Sequence, residues 1–295
     1  MIATTRPSPD SDGSRPSTAA PRAIAMQGVH AAVQKAVQRL PRGSLLDVGA
    51  GQGAFSLWAA NAGFAVTAVD VDASMFRVPG IDCAEADLGG PWPFAERQFD
   101  LVVAVEVMEH VENHYHFLRQ CARACKPGGH IVISTPNCHS IESRLNYMLT
   151  GYDDCAPRPI DHQNPKFGSI YMEHIHPVPI STMELGLRIN GCRIEQLHFS
   201  RHRKLSRCLL PVLYPFLWWR TYRQLVLSER SETLRQRNRG ILRLLLNPGL
   251  LTGRVAVYTC RKQGTHEASP LGTPANPCSS GGVPASAAQQ LVING

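Results

Sequence analysis

The sequence predicts an alternating α/β domain on a largely parallel sheet, and three observations carry that prediction. Residues 45–53, LLDVGAGQG, form an apolar run that ends in three glycines at alternate positions. An acidic residue, Asp70, closes the next apolar run, AVTAVD. Short apolar runs and helical periods then alternate in order as far as Asn137.

VHAAVQKAVQRL (29–40) has the amphipathic period of an entry helix and is stopped by Pro41. Leu45, Leu46 and Val48 read as a buried parallel strand. Gly49, Gly51 and Gly53 let the backbone turn sharply and approach a ligand. AFSLWAANAG follows as a helix whose first amides face that turn. Asp70 stands where a carboxylate accepts hydrogen bonds from both hydroxyls of a ribose. AEADL (84–88) places Asp87 at the end of a third strand. FDLVVAVEVMEHVEN (99–113) is a fourth strand and its loop, and 118–137 reads as a helix, a Pro-Gly-Gly turn and a fifth strand. IESRLNYMLTGY is a helix with Ile141, Leu145 and Met148 on one face. Residues 151–180 are loop-like, and STMELGLRINGC is a helix capped by Ser181 or Thr182. RIEQLHF is the sixth strand and GRVAVYTCR (253–261) the seventh.

The glycine turn also fits a dinucleotide pattern. Asp47, inside the strand and two residues before the first glycine, argues otherwise. Its carboxylate would repel a pyrophosphate and attract an ammonium group, directly or through water. The residues alone therefore describe a nucleoside ligand with a cationic neighbour.

In these motifs the chain resembles the class I S-adenosylmethionine-dependent methyltransferases over 45–137, most of all the branch that includes the ubiquinone-biosynthesis O-methyltransferases. The resemblance implies a Rossmann-like fold: a seven-stranded, mostly parallel sheet with helices on both faces, an antiparallel seventh strand and an insertion between strands six and seven. It implies S-adenosylmethionine as cofactor. Gly49 and Gly51 would lie under its methionine moiety and Asp70 would hold the ribose. Asp87 would reach the adenine amine and Val105 would line the pocket. Two other classes fit less well. Asp47 and the Pro127-Gly128-Gly129 turn argue against a NAD-dependent oxidoreductase. The other class is a non-catalytic scaffold that still binds S-adenosylmethionine: the intact set Gly49, Gly51, Asp70 and Asp87 argues against loss of the cofactor, and turnover discriminates the scaffold from the enzyme.

Residues 1–24 are rich in Pro, Ser, Thr and Ala, and 263–295 in Gly, Ser, Pro and Ala, so both read as disordered arms around a domain at 25–262. The N-terminal arm lacks the basic start and apolar core of a secretory signal. No apolar run reaches the ~20 residues that span a bilayer. Nine cysteines without a CxxC pair suit a reduced, cytoplasmic protein, with Cys121 and Cys125 as structural thiols. The net charge is +7, yet residues 201–243 alone hold eleven Lys or Arg against Glu229 and Glu232. The basic character thus belongs to the insertion at about 201–250. Its centre, CLLPVLYPFLWW, carries Tyr214, Trp218 and Trp219 between flanking cations. That composition suits the headgroup boundary of an anionic membrane, through about 205–223, at the inner face. A cover over the active site or a dimer partner is the alternative. The apolar run is wrong for a phosphate-binding face, which argues against nucleic acid.

Methyl transfer to a hydroxyl needs alignment and a base near the ends of strands four and five. EVMEHVEN supplies Glu106, Glu109 and His110. These three resemble an acidic-histidine cluster that binds a divalent ion in some ubiquinone-pathway O-methyltransferases, while the same Glu-His pair is structural elsewhere. His110 is a base or an orienting group for its loop. YMEHIHPVP supplies Glu173, His174 and His176 in a loop that should cover the acceptor, with His174 the catalytic candidate. Asp161 and His162 are further candidates, and Tyr147, Tyr152 and Tyr171 suit an aromatic acceptor wall. The expected acceptor is a small or lipid-linked molecule, methylated on a hydroxyl oxygen.

Overall fold

A computed structural model describes residues 20–23, 25–153, 155 and 174–263. The strands are β1 (Ser44–Val48), β2 (Ala65–Asp70), β3 (Cys83–Glu85), β4 (Phe99–Val105), β5 (Cys125–Pro136), β6 (Cys192–Phe199) and β7 (Val255–Lys262). They form one sheet in the order β3-β2-β1-β4-β5-β7-β6. β1 pairs in parallel with β2 and β4, and β5 continues the parallel set. β7 runs antiparallel to both β5 and β6. This is the seven-stranded, mostly parallel sheet that the resemblance implies.

The apolar runs of β1, β4 and β5 are buried because helices cover both faces. On one face, Val29, Val33 and Val37 of α1 (Val29–Val37) and Phe55 and Ala59 of α2 (Ala54–Asn61) pack on Leu45, Leu101 and Val103. On the other, Phe117 and Leu118 of α3 (His114–Ala124) and Met183 and Leu187 of α5 (Ile180–Ile189) pack on Leu46, Val102 and Ile131. The strand order reverses at β1 and β4. In an open α/β sheet, that switch point at the carboxyl ends is where a ligand sits.

Two helices differ from their sequence reading. In α4 (Ile141–Thr150), Ile141 is buried but Met148 is 70 % exposed, together with Tyr147 and Leu149. The apolar period is present, yet nothing among the described residues covers the last turn. α5 begins at Ile180 after Pro179, with no side-chain cap from Ser181 or Thr182. The first amide instead donates to Nε2 of His139 at 2.8 Å. Burial pushes this imidazole down to about 4, so it stays neutral and able to accept.

Between β6 and β7 the chain inserts α6 (Lys204–Tyr222), a π-helical turn at Arg223–Leu227, α7 (Glu232–Leu245) and α8 (Pro248–Thr252). Val226, Leu242 and Leu246 form a small core of their own with Tyr214, Leu217, Tyr222 and Leu225. Asn137, after β5, fastens the end of this insertion to the sheet. Its amide Nδ2 donates to the carbonyls of Leu250 (2.7 Å) and Gly253 (2.8 Å), and its Oδ1 accepts from the His139 amide. No helix among the described residues is long and apolar enough to cross a membrane. Cys121 and Cys125 are fully buried, and burial raises both thiols, so they pack as small apolar groups. The arms at 1–24 and 263–295 lie almost wholly outside the described residues, as do Asp161, His162, Tyr171 and Glu173.

Asn137→Ala would leave two buried carbonyls without donors. The expected cost is about 3 kcal/mol of unfolding free energy, read from urea denaturation. A loss below about 0.5 kcal/mol would mean that water replaces the side chain.

Candidate functional site

The site begins with the turn after β1. Gly49, Gly51 and Gly53 all have positive φ, at 71°, 53° and 89°. At Gly49 a Cβ would also meet Cγ2 of Val107, so a larger residue there strains the backbone and collides with the β4 loop. The Gly51 amide donates to Oδ2 of Asp70 at 2.7 Å, and the Asp72 amide donates to Oδ1 at 3.1 Å. Asp70 thereby ties the glycine turn to the end of β2. A carboxylate offers about four acceptor positions, so two remain for a ligand. α2 starts at Gly53 without a side-chain cap, leaving its first amides at the same turn.

Beneath the turn lies Asp47, only 1 % exposed. The Ser56 hydroxyl donates to its Oδ2 at 2.6 Å. Desolvation raises its pKa from 3.8 to about 7, with a smaller push from the Asp70 charge. A cation placed here would relieve both effects. Asp87 is exposed beyond β3, where its carboxylate accepts from the Gly89 amide at 2.9 Å. Val105 is half-buried at the end of β4.

The second half of the site follows β4. Glu106 has a positive φ of 54°, unusual for a residue with a Cβ. Its backbone amide donates to the carbonyl and hydroxyl of Ser134 on β5. Its carboxylate accepts from the Met26 amide at 2.9 Å, and the Arg22 amide donates to Gln52 in the glycine turn. The segment before α1 thus touches the carboxyl ends of both β1 and β4. Burial raises the Glu106 carboxyl above its ordinary value.

Glu109 lies in a 3-10 turn, Met108–His110, and is 1 % exposed. Neither carboxyl oxygen has a hydrogen-bond partner among the described residues, although the Thr135 hydroxyl faces them. Burial raises the group from 4.5 to about 8. The Glu109 carbonyl accepts from the Ile175 amide at 2.8 Å, which pins the 174–176 segment over it. His110 and His174 meet edge to face with ring centroids 5.0 Å apart. Ligand atoms of Glu109, His110 and His174 all lie within 4.8 Å of one another. Of the sequence candidates, the fold thus joins Glu109, His110 and His174, while Glu106 is turned to the Met26 amide. His174 also contacts the Cys155 carbonyl through Nδ1 at 3.3 Å. His176 is exposed against the His114 ring, and Tyr147 is 60 % exposed. Ser56, Thr135 and Met26 were not singled out from the sequence. Of these, Ser56 carried a signal: it sits in the first turn of a helix facing a buried acid.

A family described as a methyltransferase domain matches residues 22–197, more than half of the chain and the whole of this site. The chain belongs to that methyltransferase-domain family. Among curated relatives, a ubiquinone biosynthesis O-methyltransferase of Caulobacter vibrioides is 39 % identical over 103 residues, which is 32 % of this chain and 41 % of that protein. A demethylmenaquinone methyltransferase of Tropheryma whipplei is 35 % identical over 95 residues, 30 % of this chain and 40 % of that one. The chain thus spans about two fifths of the length of the curated relatives it matches. A solved structure of a SAM-dependent methyltransferase from Archaeoglobus fulgidus superposes with a TM-score of 0.48 at 19 % identity, over 79 % of this chain and 93 % of that one.

The raised Asp47 pKa has a signed consequence. Between pH 3.8 and about 7 the folded chain keeps a proton that the unfolded chain has released, so this group's contribution to stability falls as pH rises through that window. Asp47→Asn should remove the slope and gain roughly 2–4 kcal/mol on the wild type between pH 4 and pH 7.5, read from urea midpoints. Parallel pH curves for the two proteins would contradict the assignment.

Proposed function

We propose that the protein is an S-adenosylmethionine-dependent methyltransferase acting on a hydroxyl oxygen of a small or lipid-linked acceptor. The observation that carries the reading is the pairing of two acidic centres, one on β1 and β2 and one in the turn that follows β4. Asp47 and Asp70 suit a cationic nucleoside ligand at the glycine turn. Glu109, with His110 and His174, suits removal of a proton from an acceptor at the end of β4. The relative named for O-methylation in ubiquinone biosynthesis supports an oxygen acceptor.

Bound S-adenosylmethionine would supply an electrophilic methyl group on a sulfonium. The chain's own residues have three tasks. Asp70 would accept from the ribose hydroxyls, and Asp47 would lower the energy of the methionine ammonium through its buried charge. The 174–176 segment, held to the Glu109 carbonyl, would exclude water from the acceptor side. Glu109 would take the hydroxyl proton, directly or through the ring of His110 or His174. A pKa of about 8 suits a group that exchanges protons near neutral pH.

Glu109→Gln should lower kcat by about 10²–10⁴-fold with S-adenosylhomocysteine affinity unchanged, measured by transfer of labelled methyl to hydroxylated amphipathic acceptors. An unchanged kcat would remove the carboxyl from the proton path.

The orphaned Glu109 carboxyl also favours a second reading, a divalent cation. Glu109, His110 and His174 would hold it, a carboxylate and two imidazoles being a common donor set, and it would supply Lewis acidity at the acceptor oxygen. Under this reading, elemental analysis finds about one equivalent of metal, and chelation abolishes turnover until the metal returns. Full activity after chelation leaves the proton reading alone.

A further inference from the structure

α6 carries an apolar stripe that no described residue covers. Leu205, Cys208, Val212, Phe216 and Trp219 follow one another at intervals of three or four residues. At about 100° per residue they fall within about 40° of one line along the helix. All five are exposed, with Val212 at 75 % and Phe216 at 66 %. Lys204 and Arg220 stand about 80° to either side of that line, and both are exposed. The opposite side is the anchored one. Ser206 is buried, and its hydroxyl accepts from the Glu142 amide on α4 at 3.0 Å. Tyr214 and Leu217 pack into the small core of the insertion. α4, packed against α6, also leaves Tyr147, Met148 and Leu149 exposed at its C-terminal end.

We propose that this stripe docks the protein on an anionic lipid surface, with α6 lying in the plane of the headgroups. Charge selects the occupant. Lys204–Tyr222 contains no Asp or Glu, and cations stand at both ends, Lys204 and Arg207 at one and Arg220 and Arg223 at the other. Pairing α6 with α6 of a second copy sets like charges together in either orientation. Antiparallel, each basic end meets the other, and in parallel each end meets itself. An exposed apolar stripe with cations at both ends is complementary to acyl chains beneath anionic headgroups. The exposed aromatic side chains at the C-terminal end, Trp218 and Trp219, suit that boundary. The length and composition of α6 allow it to lie on the surface and not to span it. This docking rests on the α6 surface alone and stands apart from the identity of the methyl acceptor.

The test is co-sedimentation of the full chain with vesicles of phosphatidylcholine containing about a third phosphatidylglycerol, beside pure phosphatidylcholine. The wild type should pellet with the anionic vesicles and be released by high salt, since the interaction is screened. Val212→Ser combined with Phe216→Ser should lower the partition coefficient on the order of tenfold or more. Lys204→Gln combined with Arg220→Gln should weaken binding to the anionic vesicles alone. Thermal melting and S-adenosylhomocysteine binding, read without vesicles, verify that the variants are folded. Failure of the wild type to pellet, or equal pelleting of the stripe variant, would overturn the proposal. So would a wild-type dimer that the stripe variant splits with no change in vesicle binding. None of these readouts needs turnover, so they stand or fall apart from the methyl-transfer reading.

Discussion

The hydrogen bond from the Gly51 amide to Asp70 joins the two loops on which the glycine-turn half of the candidate site depends. β1 and β2 are held in parallel register, with Val48 opposite Val69, so their carboxyl ends open side by side. The glycine turn can fold down to Asp70 because its residues adopt positive φ. A side chain at Gly49 would meet Val107 and push the β4 loop away. The sheet register, the glycine conformation and the second acid are therefore one constraint.

That constraint concentrates negative charge where water is scarce. Burial raises the cost of ionising Asp47, and the nearby Asp70 charge adds to it. One strand away, Glu109 is buried with no hydrogen-bond partner among the described residues. Such groups are costly to stability and are retained where a ligand, a cation or a moving proton uses them. β1 pairs directly with β4, which brings Asp47 and the turn that carries Glu109 to the switch point of the sheet.

The sheet and the glycine turn with its acidic partner are legible in the sequence because both are local. An apolar run, three glycines and an acid after the next run fix a strand, a turn and a partner. The Glu109, His110 and His174 cluster is legible only as fragments. Glu109 and His110 are adjacent, but His174 reaches them by a backbone contact between Ile175 and Glu109 that no periodicity encodes. Glu106 looked equivalent to Glu109, yet its positive φ and the Met26 amide turn it elsewhere. α6 was hidden for another reason. Pro211 and Pro215 each remove a backbone donor and argue against a helix, but both lie inside one here. The cap of α5 was misread because the acceptor is His139, distant in sequence, in place of a local hydroxyl.

The most direct test of the cofactor site is calorimetric titration of S-adenosylhomocysteine into the wild type and into Asp70→Ala. The account predicts micromolar binding to the wild type and a loss of at least about tenfold in the variant, because the ribose loses its acceptor and the Gly51 turn its tether. Absence of binding to a folded wild type would contradict it and leave the glycine turn as architecture alone.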